Sequence, residues 1–351
     1  MRAAVYETFG GPVTVRNVPD PEPARDGVIV KVRASGLCRS DWHAWSGHDP
    51  DVRLPHVPGH EFAGIVCEAG ADVSNWKTGD RVTMPPMGVC GVCASCARGN
   101  HHLCDDQFQP GFRRWGSHAE YVSVDRADFN LVHVPESLSF EVAAGLGCRF
   151  STSFRAIGMR ANVQPGDWVA VHGAGGIGLA AIMIADALGA NAIAVDITEE
   201  KLALARSAGA SATLNARSES DIAGAIRELT SGGAHVSVDA LGSTLTCRNS
   251  INCLRKQGRH VQIGLMLEDD YHAAIPMGAV VRNELEIVGS YCMPPHLYPK
   301  LIRMIEQNRL QPERTIARRI PLDKVSQFLP RMSAFRDSGI TIVDRFHEPD
   351  E

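Results

Sequence analysis

The chain has no basic run and no surplus of positive charge. Among its 351 residues, 35 Lys and Arg stand against 40 Asp and Glu, a formal net charge of −5. Phosphate binding depends on clustered Lys and Arg, so no nucleic-acid partner is expected. The N-terminal MRAAVYETFGG has no apolar core segment of a secretion signal, and nothing in it points to export. A membrane span is also missing. Only Trp168 to Ala185 avoids Asp, Glu, Lys and Arg for that long, and its four glycines cluster within Gly173–Gly178, which fits a buried strand, a turn and a helix better than a spanning segment. Internal repeats and low-complexity segments are absent. What remains is the composition of a globular cytoplasmic protein, 44% hydrophobic and 21% charged, long enough for two domains of ordinary size.

Cysteine is not scarce. Ten are present, and Cys90, Cys93, Cys96 and Cys104 fall at spacing C-x2-C-x2-C-x7-C in a turn-rich stretch with Gly88, Gly91, Gly99 and Asn100. Such a set makes a thiolate cage for one tetrahedral ion, zinc above others. Met87 to Asp105 reads as a loop without helix or strand periodicity, so a metal would be what gives it one shape. Two disulfides are the alternative, weighed against by the missing export signal. An iron–sulfur cluster is a third reading, with no second tetrad to exchange electrons with.

From Asp167 onward, short apolar runs alternate with helical stretches. The runs are Trp168–His172, Ala192–Asp196, Ser211–Leu214, His235–Asp239, Arg259–Gly264 and Leu285–Gly289. Between them, Leu179–Leu188, Glu199–Ala208, Ser220–Thr230 and Leu245–Lys256 carry apolar residues near helical spacing. That alternation predicts an α/β doubly wound parallel sheet. The region before it is punctuated by Gly and Pro and holds short alternating segments such as Val28–Ala34 and Arg81–Met84, so it reads as mostly β. After Gly289, a helix from about His296 to Asn308 and a strand Ile340–Val343 are expected to return to that first domain.

Gly173-Ala174-Gly175-Gly176-Ile177-Gly178 follows the run VAVH directly and opens a helix. Gly173 permits a tight turn, Gly175 lets backbone approach a pyrophosphate, and Gly178 lets helix and strand pack closely, with Gly176 and Ile177 at the helix start. Asp196 ends the next run, eighteen residues after Gly178, where a carboxylate would accept hydrogen bonds from an adenosine ribose. It would also repel a 2′-phosphate, and Ile197 and Thr198 supply no arginine, so the pattern selects NAD over NADP. Lys201 is either a ribose contact or a solvated first-turn lysine. A glycine turn that merely joins strand to helix is the competing account of the whole motif.

Ahead of the tetrad stand Cys38-Arg39-Ser40-Asp41-Trp42-His43 and Gly59-His60-Glu61, and beyond it Cys148 in GLGCRFST. Cys38, His60 and Cys148 would make a Cys2His zinc site with one open position, although singly each reads equally as a core residue. CRSDWH, GHEFAGIVCEAG with GDRV, the four-cysteine loop, GCRFST and GAGGIG together resemble the zinc-dependent medium-chain alcohol dehydrogenase family, in order and at compatible distances over nearly the whole chain.

The resemblance implies a mostly β GroES-like catalytic domain at 1–150 carrying both zinc sites, a Rossmann NAD-binding domain at 151–289, and a segment 290–351 returning to the first, with the active site in the cleft between domains. It implies two zinc ions per chain, a catalytic one on Cys38, His60 and Cys148 and a structural one on the tetrad. Glu61 matches an acid beside the metal that can transiently replace water, and Asp41 the carboxylate that orients the ligating histidine. Ser40 would take the alcohol proton, which passes by way of the nicotinamide ribose to His43 as general base; a helix N-cap and a surface histidine are the plain alternatives. Thr152 matches a nicotinamide contact, Ile263 and Leu265 match backbone contacts to its carboxamide, and Arg39 matches a pyrophosphate contact. The implied assembly is a homotetramer before a homodimer, and the implied substrate a small alcohol, aldehyde or ketone.

The pattern departs in two places. Relatives carry an arginine near a C-terminal glycine that reaches the cofactor phosphate, whereas Gly339 is followed by Ile340 and the nearest arginine, Arg345, is out of step. A large pocket residue before the tetrad is here Pro86, leaving Trp42, Trp45, Trp115, Met87 and Tyr291 as candidates for the pocket wall or for ordinary core. A polyol or threonine dehydrogenase of the same fold, and a non-catalytic NAD-binding redox sensor, are the competing readings.

Overall fold

A computed structural model describes residues 1–334 and 338–347, which divide into two compact units. One comprises Thr152–Tyr291 with Gln307–Thr315; the other comprises Met1–Ser151, Cys292–Glu306 and the chain from Ile316 onward. Gln307–Thr315 thus departs from the rest of the C-terminal segment and packs with the second unit.

The unit beginning at Thr152 holds six parallel strands, β1 (Trp168–His172), β2 (Asn191–Asp196), β3 (Ala210–Asn215), β4 (Ala234–Asp239), β5 (Leu254–Gln262) and β6 (Glu286–Gly289), in the order 3-2-1-4-5-6. The strand order runs outward from β1 in both directions, which makes the ends of β1 and β4 the switch point where such sheets bind ligands. Helix α1 (Gly176–Ala187) follows β1 with every residue from Gly178 to Ala185 buried. This explains the charge-free stretch Trp168 to Ala185: strand and helix are both covered. No helix among the described residues is long and apolar enough to cross a membrane.

One expected helix ends early. The stretch Leu245–Lys256 is helical only as Thr244–Asn252, and Leu254 already begins β5. Gln257 takes a positive φ of 59° and the pairing with β4 is irregular between Ala234 and Val236, so the strand starts bent, with Arg255, Lys256 and Gln257 exposed. Exposed polar residues without alternation carry no strand period, and helical spacing was the stronger local signal.

His172 closes β1 fully buried, its Nε2 3.8 Å from the Cys253 sulfur, and burial with His260 nearby pushes its pKa down to about 3. The unfolded chain therefore binds a proton here that the folded chain refuses. Stability is complete above the ordinary histidine value and falls as pH drops from about 6.5 toward 3, by about 1.4 kcal/mol per pH unit for this one group. In His172→Leu, the drop in Tm between pH 7 and pH 5 should shrink by calorimetry; an unchanged drop would assign the acid sensitivity elsewhere.

The other unit is built on a seven-stranded sheet whose centre is the long strand Val28–Leu37, paired antiparallel to Glu61–Ala69, Tyr121–Val124 and Ile340–Arg345. Val30, Val32, Phe62, Val66, Val82 and Val122 fill its core, with Trp42 and Trp45 packed against it. Two features here serve the chemistry. Val28–Leu37 runs directly into Cys38 and the helix Arg39–Trp45, and Glu61–Ala69 begins one residue after His60. The Met87–Asp105 stretch is not all loop: it contains the short helical turns Ala94–Ala97 and His101–Leu103. One or two turns are too short to show a helical period in sequence.

Candidate functional site

The tetrad converges as expected. The four sulfurs of Cys90, Cys93, Cys96 and Cys104 lie within 4.8 Å of one another, and none of the ten cysteines is in a disulfide. Backbone N–H groups point at the sulfurs: Cys90 N at Cys104 Sγ (3.2 Å), Val92 N and Cys93 N at Cys90 Sγ (3.4 and 3.2 Å), and Cys96 N at Cys93 Sγ (3.5 Å). Such donors favour the thiolate. Those from Val92 and Cys93 hold the Cys90 pKa down at about 7. A closed set of four thiolate donors fits zinc and leaves no position for a substrate.

The second set comes from three separate segments. Cys38 caps the helix Arg39–Trp45, His60 follows Gly59 at a positive φ of 107°, and Cys148 sits on a π-helical turn, Leu146–Phe150. Ligand atoms of Cys38, His60, Cys148 and also Glu61 lie within 4.8 Å of one another. Asp41 locks two of the segments together. Its Oδ2 accepts from Cys38 N (2.9 Å), and its Oδ1 accepts from Gly59 N (3.1 Å) and from His60 Nδ1 (2.7 Å). Burial opposes ionisation of Asp41, but His60, His118 and the Cys38 N–H together hold its carboxyl below the ordinary range. With Nδ1 engaged by the Asp41 carboxylate, Nε2 is the His60 nitrogen turned toward the sulfurs, and that atom is buried without a hydrogen-bond partner. The two sulfurs behave as a pair: hydrogen bonding to Cys148 holds Cys38 well below the usual thiol range, and the same bond with burial pushes Cys148 well above it. An orphaned imidazole nitrogen, a readily ionised thiol and a second thiol are the donor set zinc takes.

Ser40 lies in the helix rather than at its N-cap, its hydroxyl 3.9 Å from Cys38 Sγ. His43 is half-buried on the same helix, with Nδ1 3.0 Å from His48 Nδ1. Burial, Arg39 and His48 push its pKa down to about 4, so the ring is neutral at pH 7 and a weaker base than an ordinary histidine. Arg39 donates to the Met332 carbonyl at 2.9 Å and lies over the Trp42 ring at 4.9 Å. Of the proposed wall residues, Trp45 is tied into the core with its indole donating to the Gly11 carbonyl, and Met87 is buried. Trp115 borders a hollow of about 350 Å³ with Arg53, Leu54, Pro55, His56, Arg113 and Arg114, and Tyr291 is exposed.

Two residues of the site were not singled out from sequence. Arg149, buried, ion-pairs with Glu61 through its guanidinium, and Glu61 Oε1 also accepts from Cys148 N (2.8 Å) and Arg149 N (3.1 Å). Its signal is only adjacency to Cys148, since the partner lies 88 positions away. Arg345 is exposed, beside Asp344. His118, fully buried 3.9 Å from Asp41 Oδ2, is the second, and burial drives its pKa down to about 4.

The glycine loop has the form a dinucleotide needs. A Cβ on Gly178 would sit 1.8 Å from the Gly173 carbonyl oxygen, Gly173 itself has a φ of 96°, and the space a side chain on Gly175 would fill is open. Gly175 precedes the first turn of α1, which begins at Gly176 and Ile177. Asp196 at the end of β2 accepts from Ala174 N (2.9 Å) and from Ile197 N and Thr198 N (2.8 and 3.1 Å), so it also braces the loop. Lys201 is buried rather than solvated. Thr152 is buried, and Ile263 and Leu265 flank Gly264 just past the end of β5.

The match to known proteins agrees with this geometry. The family described as zinc-binding dehydrogenase matches residues 176–307, and the alcohol dehydrogenase GroES-like domain matches residues 24–136. An alcohol dehydrogenase of Geobacillus stearothermophilus is 34% identical over 98% of this chain and 99% of its own length. An NAD-dependent alcohol dehydrogenase of Sulfurisphaera tokodaii is 32% identical over 98% of this chain and 99% of its own. The crystal structure of an NAD-dependent alcohol dehydrogenase superimposes with a TM-score of 0.90 at 31% identity, covering 98% of this chain and 99% of that one. With two ligand sets, a glycine loop and relatives aligned along nearly its full length, the chain belongs to the zinc-dependent medium-chain alcohol dehydrogenase family.

Proposed function

We propose that the protein is an NAD-dependent zinc alcohol dehydrogenase, interconverting an alcohol with an aldehyde or ketone. The observation that carries this reading is the orphaned Nε2 of His60, oriented by Asp41 and facing Cys38 and Cys148. Those three residues would hold one zinc ion and the tetrad another. Zinc bound in the open site supplies the positive charge that acidifies an alcohol hydroxyl, and NAD supplies the hydride acceptor.

The chain's own groups do the rest. Ser40, two residues from Cys38, accepts the alcohol proton and passes it on toward His43, which stands neutral and ready to receive it. Asp41 keeps His60 in the tautomer that presents Nε2. Glu61 stands beside the ligand set as a reserve donor. Gly173, Gly175, Gly176, Ile177 and Gly178 would hold the pyrophosphate, Asp196 and Lys201 the adenosine ribose, and Thr152, Ile263 and Leu265 the nicotinamide. The resemblance gives Arg39 a pyrophosphate contact; one of its guanidinium nitrogens donates to the Met332 carbonyl. Asp196 disfavours a 2′-phosphate by charge, so NAD is preferred over NADP. The family resemblance implies a symmetric oligomer, a tetramer before a dimer, and the edge position of β6, with Ile287 exposed on it, is one surface where two copies could pair. Ten cysteines with no disulfide among them fit the reducing cytoplasm.

The test is a panel of primary, secondary and benzylic alcohols and polyols, read by NADH absorbance with zinc-replete protein. Turnover with NAD and two zinc ions per chain are expected. No turnover of any, with one zinc per chain, would favour a redox sensor instead.

A further inference from the structure

Arg149 touches all three segments that carry the open metal site. It follows Cys148 in sequence, its Nη1 donates to the carbonyl of Leu37, the residue before Cys38, at 3.2 Å, and its Nε and Nη2 hold Glu61, the residue after His60. Two glycines make room for this arrangement. A Cβ on Gly36 would lie 2.4 Å from Glu61 Oε2 and 3.1 Å from Arg149 Nη2, and a Cβ on Gly147 would lie 2.8 Å from Glu61 Cβ. Glu61 meanwhile is the one member of the four-residue cluster held in reserve rather than as a resting ligand, yet one of its oxygens lies within 4.8 Å of the other three ligand atoms.

We propose that Arg149 is a positioning residue that holds Glu61 as a non-ligand, keeping the fourth metal position open to substrate. The inference rests on the metal-site reading above. Three hydrogen bonds from Arg149, through N, Nε and Nη2, and one from Cys148 N occupy the carboxylate. To reach a metal, Glu61 would have to surrender them. The charges balance as well: two thiolates offset a divalent ion, and the guanidinium offsets Glu61. Without the Arg149 guanidinium the buried carboxylate would keep only two backbone N–H donors on Oε1 and no compensating charge, and ligation of the neighbouring cation would be its best outcome.

The experiment uses the full chain loaded with Co(II), whose visible bands report coordination, titrated with imidazole. Only the open site responds, because the tetrad has no free position. In Arg149→Gln the apparent imidazole affinity should fall about 10–100-fold, the range for losing a residue that orients ligands. The double variant Arg149→Gln/Glu61→Gln should recover it, a rescue that a merely structural role would not give. Should Arg149→Gln fail to hold Co(II), Arg149→Lys, which keeps the charge but loses the fork, should show the same loss and the same rescue by Glu61→Gln. Unchanged affinity in the variant that loads, or loss without rescue, overturns the inference. A wild-type protein whose Co(II) ignores imidazole would instead overturn the metal-site reading itself.

Discussion

Cys38→Ser is expected to take the protein from two zinc ions per chain to one and to lower kcat at least about a thousandfold. The magnitude follows from the chemistry. A Lewis acid at the reacting oxygen contributes several kcal/mol to the transition state, and about 4 kcal/mol is roughly a thousandfold in rate. A serine hydroxyl does not ionise as the Cys38 thiol does, whose pKa lies well below the thiol range through its bond to Cys148, with Arg149 and His60 assisting. The fold should tolerate the change. Cys38 is the N-cap of the helix Arg39–Trp45, serine is a good residue there, and the link from Cys38 to Asp41 runs through the backbone N–H. Metal analysis beside kinetics separates the outcomes: one zinc with Tm nearly unchanged supports two independent sites. Loss of both ions, or full activity with one, would refute them.

Most of this site was legible because ligand chemistry leaves spacing in sequence. A tetrad within one loop and a glycine loop between strand and helix are local patterns, and the apolar runs show the sheet most plainly at its central strands β1, β2 and β4, which are buried on both faces. What was not legible is contact across distance. Glu61 and Arg149 meet through folding alone, and an arginine beside a cysteine looks like a solvated charge until its burial is seen. The π-helical turn that presents Cys148 has no periodic signature, since Gly145 to Phe150 is uniformly apolar or small apart from that arginine. His118 was missed for the same reason, its partner Asp41 lying far back in the chain.

The same substitution in the tetrad should have the opposite signature. The buried cluster inside this loop is Val89 with Cys90, Cys96 and Cys104, and Cys93 packed on it, while buried Met87 and the ring of Phe108 against Gly88 hold its start. So few apolar side chains do not offset the backbone entropy of fixing Met87 to Asp105, which costs on the order of 1–2 kcal/mol per residue, so the metal is the core of the loop. Cys96 is buried on the turn Ala94–Ala97, and Arg98, exposed, caps that turn. In Cys96→Ser the tetrad zinc should be lost and trypsin should cut after Arg98 about a hundredfold faster or more, which corresponds to roughly 3 kcal/mol less protection against local opening. Chains still intact should retain the Cys38 zinc, because no tetrad cysteine contributes a ligand to that set. Mass spectrometry of the tryptic fragments with a zinc count on the uncut fraction reads both effects. If Cys96→Ser abolished the chemistry while the loop stayed closed to trypsin, the roles of the two metal sites would have to be exchanged.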